Sequence, residues 1–328
     1  MNNKYVFYAA ICFLYTAVAC TMQQGTTTLP EARGKQGEIV VVISKELWTG
    51  ACGDTIRSCL NEPVYGLPAP EPVFTLVRQD VLTGFTQQVR NILLIEVNPA
   101  VERSTLSYKT DVYAKRQLLF HIQSPSADSL TKYVKRCKDL LIDRYLTQDR
   151  DSYIAYYTRI ADASFAGKTR EKFQADIAIP KEYSLDVEKE DFLWFAREKK
   201  DMLMGILMWK EAYSSTDRLN PDRLLSKMNE MSKKYVPGPS PGSYMATESL
   251  LPPAVKQYVK NNVYTVQLNG LWQTENDFMG GPYVNMSIVD ERRGQIVTGV
   301  GFVFFPRKDK RDYIRQLEAI LYTLAPAQ

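Results

Sequence analysis

Short apolar runs and longer amphipathic stretches alternate along this chain, and their periods separate strands from helices. Residues 38–44 (EIVVVIS) form an unbroken apolar run, the pattern of a buried strand. Further strands are expected over 73–77, 91–97 and 116–123. Asp54 offers a cap for a helix beginning near Thr55. Four prolines within 61–72 (NEPVYGLPAPEP) impose an irregular, extended loop. Leu130, Tyr133, Val134, Cys137, Leu140 and Leu141 then recur at helical spacing, and Tyr153, Ile154, Tyr157 and Ile160 make a second helical pattern.

The second half begins with an expected strand over 173–179 (FQADIAI), stopped by Pro180, followed by strands over 192–197 and 203–209. Asn220-Pro221 is a strong helix start, with asparagine as cap and proline at the first helical position. Leu224, Leu225, Met228 and Met231 make the apolar side of that helix. After a proline-rich loop at 237–242, strands are expected over 262–272, 283–290 and 295–305, the last two joined by a short turn at 291–294. A final amphipathic helix covers 309–324.

Both halves run strands first and close on a long helix, without a fixed-period sequence repeat. Runs of strands joined by short turns predict an α+β fold: antiparallel sheets with helices packed on one side, in two subdomains over 38–165 and 166–328.

The first residues carry a different signal. A polar start with Lys4 precedes an apolar run over 5–18, too short to span a bilayer but suited to an export signal. Ala17-Val18-Ala19 sets small residues before Cys20, as cleavage requires. The stretch resembles a bacterial lipoprotein signal, with Ala17 where leucine is commoner. It predicts removal of 1–19 and acylation of Cys20, which would anchor the chain to a membrane through lipid. Residues 20–37 read as a flexible tether. Surface-exported lipoproteins often carry acidic residues just after the cysteine; Thr21-Met22-Gln23-Gln24 has none, so by analogy with them the periplasmic face of the outer membrane is expected.

The composition is that of a globular chain: of 328 residues, 45% are apolar and 24% charged, with a net charge of +4. The charge is dispersed, which argues against a nucleic-acid partner. The densest cluster, Arg307-Lys308-Asp309-Lys310-Arg311, reads as a solvated helix start. One histidine, His121, excludes H-E-x-x-H zinc chemistry and most mixed His/Cys sites, so no metal and no cofactor are expected. His121 lies in an apolar strand pattern, as a structural histidine would.

Gly238-Pro239-Ser240-Pro241-Gly242 has the letters G-x-S-x-G, but prolines flank the serine and no histidine follows it. Gly167-Lys168-Thr169 ends like a phosphate loop, yet Asp162 stands where the first glycine belongs, which argues against nucleotide binding. Gly299-Val300-Gly301 lacks the third glycine of a dinucleotide fingerprint. Catalytic residues are therefore not assigned. Cys52 and Cys59 are a candidate disulfide, provided the chain breaks near Gly53; on a continuous helix their separation is about 10 Å along the axis. Cys137, on an apolar helix face, reads as a buried thiol. Trp272, Phe278, Gly280, Gly281 and Tyr283 form a candidate ligand loop, with aromatic faces for stacking and glycines for close approach. The alternative is that these aromatics are core.

Several segments together resemble the Bacteroidetes domain-of-unknown-function family 4837: GEIVVVISKELW (37–48), LPAPEPVF (67–74), RNILL (90–94), IAIPKEY (177–183), GSYMATE (242–248), MGGPYV (279–284) and GFVFFPRKDKRDYIRQLEAIL (301–321). The resemblance covers nearly the whole mature chain. It implies an envelope lipoprotein and a source phylum, and supplies no catalytic residues. The expected role is a non-catalytic binding or assembly component with an envelope protein or glycan as partner. The alternative is an envelope hydrolase acting on a glycan or peptide through carboxylates, with Glu275 and Asp277 as the starting candidates.

Overall fold

The computed structural model describes residues 29–328. The expected export signal, Cys20 and the first half of the expected tether, residues 20–28, lie outside the described residues. The end of that tether is not free. Residues 31–33 make parallel bridges to Lys115 and Val89, and the Gly37 N–H donates to Asp149 at 2.7 Å. The tether expectation therefore fails from residue 30 onward, where Pro30 O accepts the Lys115 N–H.

The first subdomain contains β1 (Glu38–Val42), α1 (Lys45–Thr49), α2 (Ala51–Leu60), β2 (Thr75–Gln79), α3 (Gly84–Gln87), β3 (Asn91–Val97), β4 (Thr105–Thr110) and β5 (Leu118–Ser124), and it ends on the 33-residue helix α4 (Ala127–Arg159). The second contains α5 (Ala163–Phe173), β6 (Ala175–Asp176), β7 (Ser184–Glu188), β8 (Leu193–Lys199), β9 (Met202–Ala212), α6 (Pro221–Tyr235), β10 (Tyr244–Thr247), β11 (Ala254–Lys260), β12 (Val263–Glu275), β13 (Gly280–Asp290), β14 (Gln295–Phe304), α7 (Arg311–Leu321) and β15 (Ala325–Pro326).

The α+β class expected from the sequence is the class observed, with two details changed. The five-stranded sheet, ordered β2-β1-β3-β5-β4, pairs β1 with β2, β1 with β3 and β3 with β5 in parallel; only β4 runs antiparallel. Its central strands are apolar on both faces, which is what parallel strands covered on both sides require. One face packs Ile39, Val41, Leu93 and Phe120 under α2 and α4; the other buries Val40, Val42, Val89 and Ile92.

The larger sheet is antiparallel throughout, in the order β10-β12-β13-β14-β9-β8-β7, with β11 also paired to β12. Helices cover both of its faces rather than one. Ile314, Leu317 and Ile320 of α7 pack with Phe173 of α5 on one side, while Leu224, Met228 and Met231 of α6 pack on the other. Gly205 makes room for Phe302 of the neighbouring strand, since a Cβ there would stand 2.1 Å from its ring.

Helix α4 joins the two cores. Leu130, Val134, Leu141 and Tyr145 bury into the first, and Tyr153 and Tyr157, near its C-terminus, into the second. At 1.5 Å per residue it is about 50 Å long, enough to span both. The two helical patterns read from the sequence are thus one helix. The expected division after residue 165 falls inside α5, whose cap is Asp162, its side chain accepting the Ser164 N–H at 2.8 Å.

Candidate functional site

The two subdomains are clamped by buried polar contacts. Glu71, in the proline-rich loop, accepts the backbone N–H of Lys310 at 2.7 Å and of Arg311 at 2.8 Å. These are orphan donors at the start of α7, and a carboxylate suits the positive end of that helix. Arg311 Nη1 returns a bond to Pro72 O at 2.8 Å, and Arg315 Nη2 reaches Val73 O at 2.8 Å. Lys310 and Arg311 are therefore buried, which corrects the reading of 307–311 as a wholly solvated helix start. Asp149 of α4 accepts the Gly37 N–H and, at 3.1 Å, Asn91 Nδ2.

Beside this clamp lies an open cleft of about 490 Å³. Its floor is the last two turns of α4, with Ser152, Tyr153, Tyr156, Tyr157 and Arg159. Arg90 and Arg116 flank it from the first subdomain; Glu182, Arg197 and Gln316 flank it from the second. Arg116 pairs with Glu31, and Arg197 with Glu182 at 3.2 Å. Arg90 Nη1 donates to Ser152 Oγ at 3.1 Å, but its buried Nε has no hydrogen-bond partner. The Arg159 guanidinium stands 5.7 Å from the centre of the Tyr156 ring. Tyr153 and Tyr157 stack with centroids 6.0 Å apart, and the Tyr157 hydroxyl donates to Gln316 Oε1 at 2.9 Å. Burial raises the pKa of both phenols, so both remain protonated near neutral pH.

This site shares no residue with the candidate ligand loop. Trp272 is core, its Nε1–H donating to Val303 O at 3.2 Å, and Tyr283 is buried in the same cluster. Gly280 and Gly281 are strand residues packed on neighbouring backbone, and Phe278 alone is fully exposed. The five residues are not brought together around an opening.

The other candidates also find structural partners. Cys52 and Cys59 lie on the continuous helix α2, and both are buried free thiols, as is Cys137. The weighed disulfide is absent because the required break at Gly53 does not occur. Ser240 donates through its hydroxyl and its N–H to Asp277, and those bonds lower the Asp277 pKa. Glu275 accepts from Gln273 at 3.2 Å. His121, partly exposed, pairs with Glu96 at 3.1 Å. Lys168 pairs with Glu188 at 2.7 Å. Among the described residues no group of three or more His, Cys, Asp or Glu side chains is placed to hold a metal ion.

Residues 161–323 match DUF4837, a domain of unknown function. The first half is matched by a different family: residues 32–158 match DUF8532, also a domain of unknown function. The resemblance expected over nearly the whole chain thus narrows to the DUF4837 half. The two matches meet where α4 gives way to α5, and the cleft draws residues from both. No curated protein matches the chain. Among solved structures, LpqN of Mycobacterium tuberculosis, described as involved in cell envelope biogenesis, aligns with a TM-score of 0.28 at 12% identity. The alignment covers 46% of this chain and 83% of that one, a likeness too slight to transfer a fold or a role.

The cleft residues escaped the sequence reading. The signal was present in YIAYYTR (153–159), where three tyrosines and an arginine crowd two helical turns. Tyr153, Ile154, Tyr157 and Ile160, the apolar positions of this stretch, do pack on the core, and the cleft takes the exposed Tyr156 and Arg159 between and beyond them.

Proposed function

We propose that the protein is a lipid-anchored, non-catalytic binding component of the bacterial cell envelope, held through Cys20 on the periplasmic face of the outer membrane. Its ligand or partner is an envelope glycan or protein, engaged at the cleft between the DUF8532 and DUF4837 halves. The observation that carries the binding role is the cleft itself: polar, open and rich in arginine and tyrosine, while the candidate catalytic groups are tied into local contacts. Glu275 and Asp277, the starting point for a hydrolase, do not line it. The location rests on the signal pattern ending at Ala17-Val18-Ala19-Cys20. Among the described residues no helix is long and apolar enough to cross a membrane.

Two experiments test this reading. Cells expressing the protein or its Cys20→Ser variant are fed an alkyne fatty acid; label should appear on the first alone, and label on the variant refutes the anchor. Crosslinking in outer membranes, followed by purification and mass spectrometry, should recover a defined envelope partner. Turnover of a cell-wall fragment by the pure protein would instead support the hydrolase.

A further inference from the structure

The ionic balance of the cleft points to the chemistry of its ligand. Four arginines line it against two carboxylates, Glu31 and Glu182, and each carboxylate is committed to one arginine. Arg90 and Arg159 form no ion pair with a carboxylate among the described residues. Arg90 also presents a buried Nε–H without a partner, and burying an unpaired donor of a charged group is costly. A guanidinium without a carboxylate partner suits an anion entering the cleft, because it offers a planar fork matched to carboxylate and phosphate oxygens.

The remaining lining is not that of a simple anion hole. Arg159 and the exposed Tyr156 lie side by side, so a cation and an aromatic face are offered together. Ser152, Gln36 and Gln316 add neutral donors and acceptors of the kind that hydroxyl groups use. The volume of about 490 Å³ falls within the roughly 300–1,000 Å³ of small-molecule sites. A role for the arginines purely in joining the subdomains does not account for the set. Arg116 and Glu31 both belong to the first subdomain, Arg197 and Glu182 both belong to the second, and Arg159 reaches neither.

We infer that the cleft binds an acidic saccharide, a sugar ring carrying a carboxylate or a phosphate, with Arg90 and Arg159 on the acid and Tyr156 against the ring. This deepens the binding role proposed above and rests on it. Arg159 and Tyr156 recognise the ligand from the exposed side of α4; Arg90 meets the acid from the first subdomain's side of the cleft.

The test is calorimetric titration of the full chain, purified in detergent, with N-acetylmuramic acid, glucosamine 6-phosphate, N-acetylglucosamine and inorganic phosphate. At least one acidic sugar is expected to bind saturably and more weakly as salt is raised. The neutral sugar and inorganic phosphate should each bind at least about tenfold more weakly. Arg159→Gln and Tyr156→Ala alter exposed side chains, so their melting should match the parent while affinity falls about tenfold. Arg90→Gln is expected to do the same, but those two variants decide the matter if it fails to fold.

Equal binding of N-acetylglucosamine overturns the need for an acid, and equal binding of inorganic phosphate overturns the need for a sugar. Unchanged affinity in both Arg159→Gln and Tyr156→Ala overturns the site. If no acidic sugar binds but Arg159→Gln loses the partner recovered by crosslinking, the saccharide is wrong and the binding role stands. Hydrolysis of a probe would overturn the binding role itself.

Discussion

Glu71 caps a helix it does not belong to: its two carboxylate oxygens take the N–H groups of Lys310 and Arg311 at 2.7 and 2.8 Å. The capped helix, α7, has no cap from its own side chains. The proline-rich loop over 61–72 therefore holds the start of a core helix in the other subdomain. Tyr65, in the same loop, donates to Pro252 O and adds a second tie.

Replacing Glu71 by alanine leaves two buried backbone donors without acceptors. The expected loss is about 1–3 kcal/mol. Urea denaturation followed by tryptophan fluorescence measures it. A variant with the parental midpoint would show that the cap does not couple the halves.

Asp149, which ties α4 to Gly37 and Asn91 within the first subdomain, makes stability sensitive to pH. Burial raises its pKa above the ordinary carboxylate value, against the opposing effects of the Gly37 N–H, Asn91, Arg315 and Arg90. A group that binds its proton more tightly when folded contributes stability fully below its unfolded pKa and loses it as pH rises through the folded one. Glu96 and Glu188 are shifted downward, chiefly by their hydrogen bonds to Gln123 and Lys168, and lose their contributions as pH falls below the ordinary range. The two effects therefore occupy different windows. Above the ordinary aspartate value of 3.8, stability should decline through Asp149 as pH rises through its raised folded value. Asp149→Asn should flatten that decline in denaturation midpoints measured across the window. An unaltered slope would assign it elsewhere.

The residues singled out around MGGPYV make an opposed pair of predictions. A Cβ on Gly281 would stand 2.0 Å from Val303 O, which is backbone and cannot turn aside. Gly281→Ala is expected to cost about 3 kcal/mol or to prevent folding. Phe278 is fully exposed, so Phe278→Ala should change stability by less than about 0.5 kcal/mol. Thermal melts of both variants check the pair. Reversed effects would return this loop to the list of candidate sites.

Where propensity and packing agree, the fold was legible. NILLIEV is a strand over Asn91–Val97, and Asn220-Pro221 opens α6, with Asn220 Oδ1 accepting the Asp222 N–H at 2.9 Å. The stretch 173–179 was misread because tertiary context decides it. Phe173 closes α5 in the core, Gln174 takes a left-handed φ of 51° that ends the helix, and only Ala175–Asp176 pair as a strand. The parallel order of the first sheet was missed because an apolar run does not say which neighbour it will find. The cleft was missed for a similar reason. Arg90 lies in the bend before β3, Arg159 on α4 and Arg197 on β8, and only the closure of two subdomains on α4 brings them to one cleft.

The three cysteines of the described fold offer a last test, because oxidation would contradict their placement directly. Cys52 and Cys59 lie on one helix, with about 10 Å of helical rise between them, too far for a bridge without unwinding. Burial raises the pKa of all three thiols, Cys52 up to about 11, so little reactive thiolate is present near neutral pH. Native protein treated with iodoacetamide should leave Cys52, Cys59 and Cys137 unmodified over minutes, whereas protein unfolded in guanidinium should be alkylated at all three. Peptide mapping by mass spectrometry without reductant distinguishes the outcomes. A Cys52–Cys59 disulfide peptide from native material would require α2 to break near Gly53. That glycine is held where a Cβ would meet Trp48 O at 1.9 Å, and its N–H lies within the helix. Rapid native alkylation of Cys52 would be just as damaging, since it would mean that the α2–α4 contact opens readily. Slow native labelling at all three sites, with full labelling on unfolding, is the expected pattern of a closed helical layer.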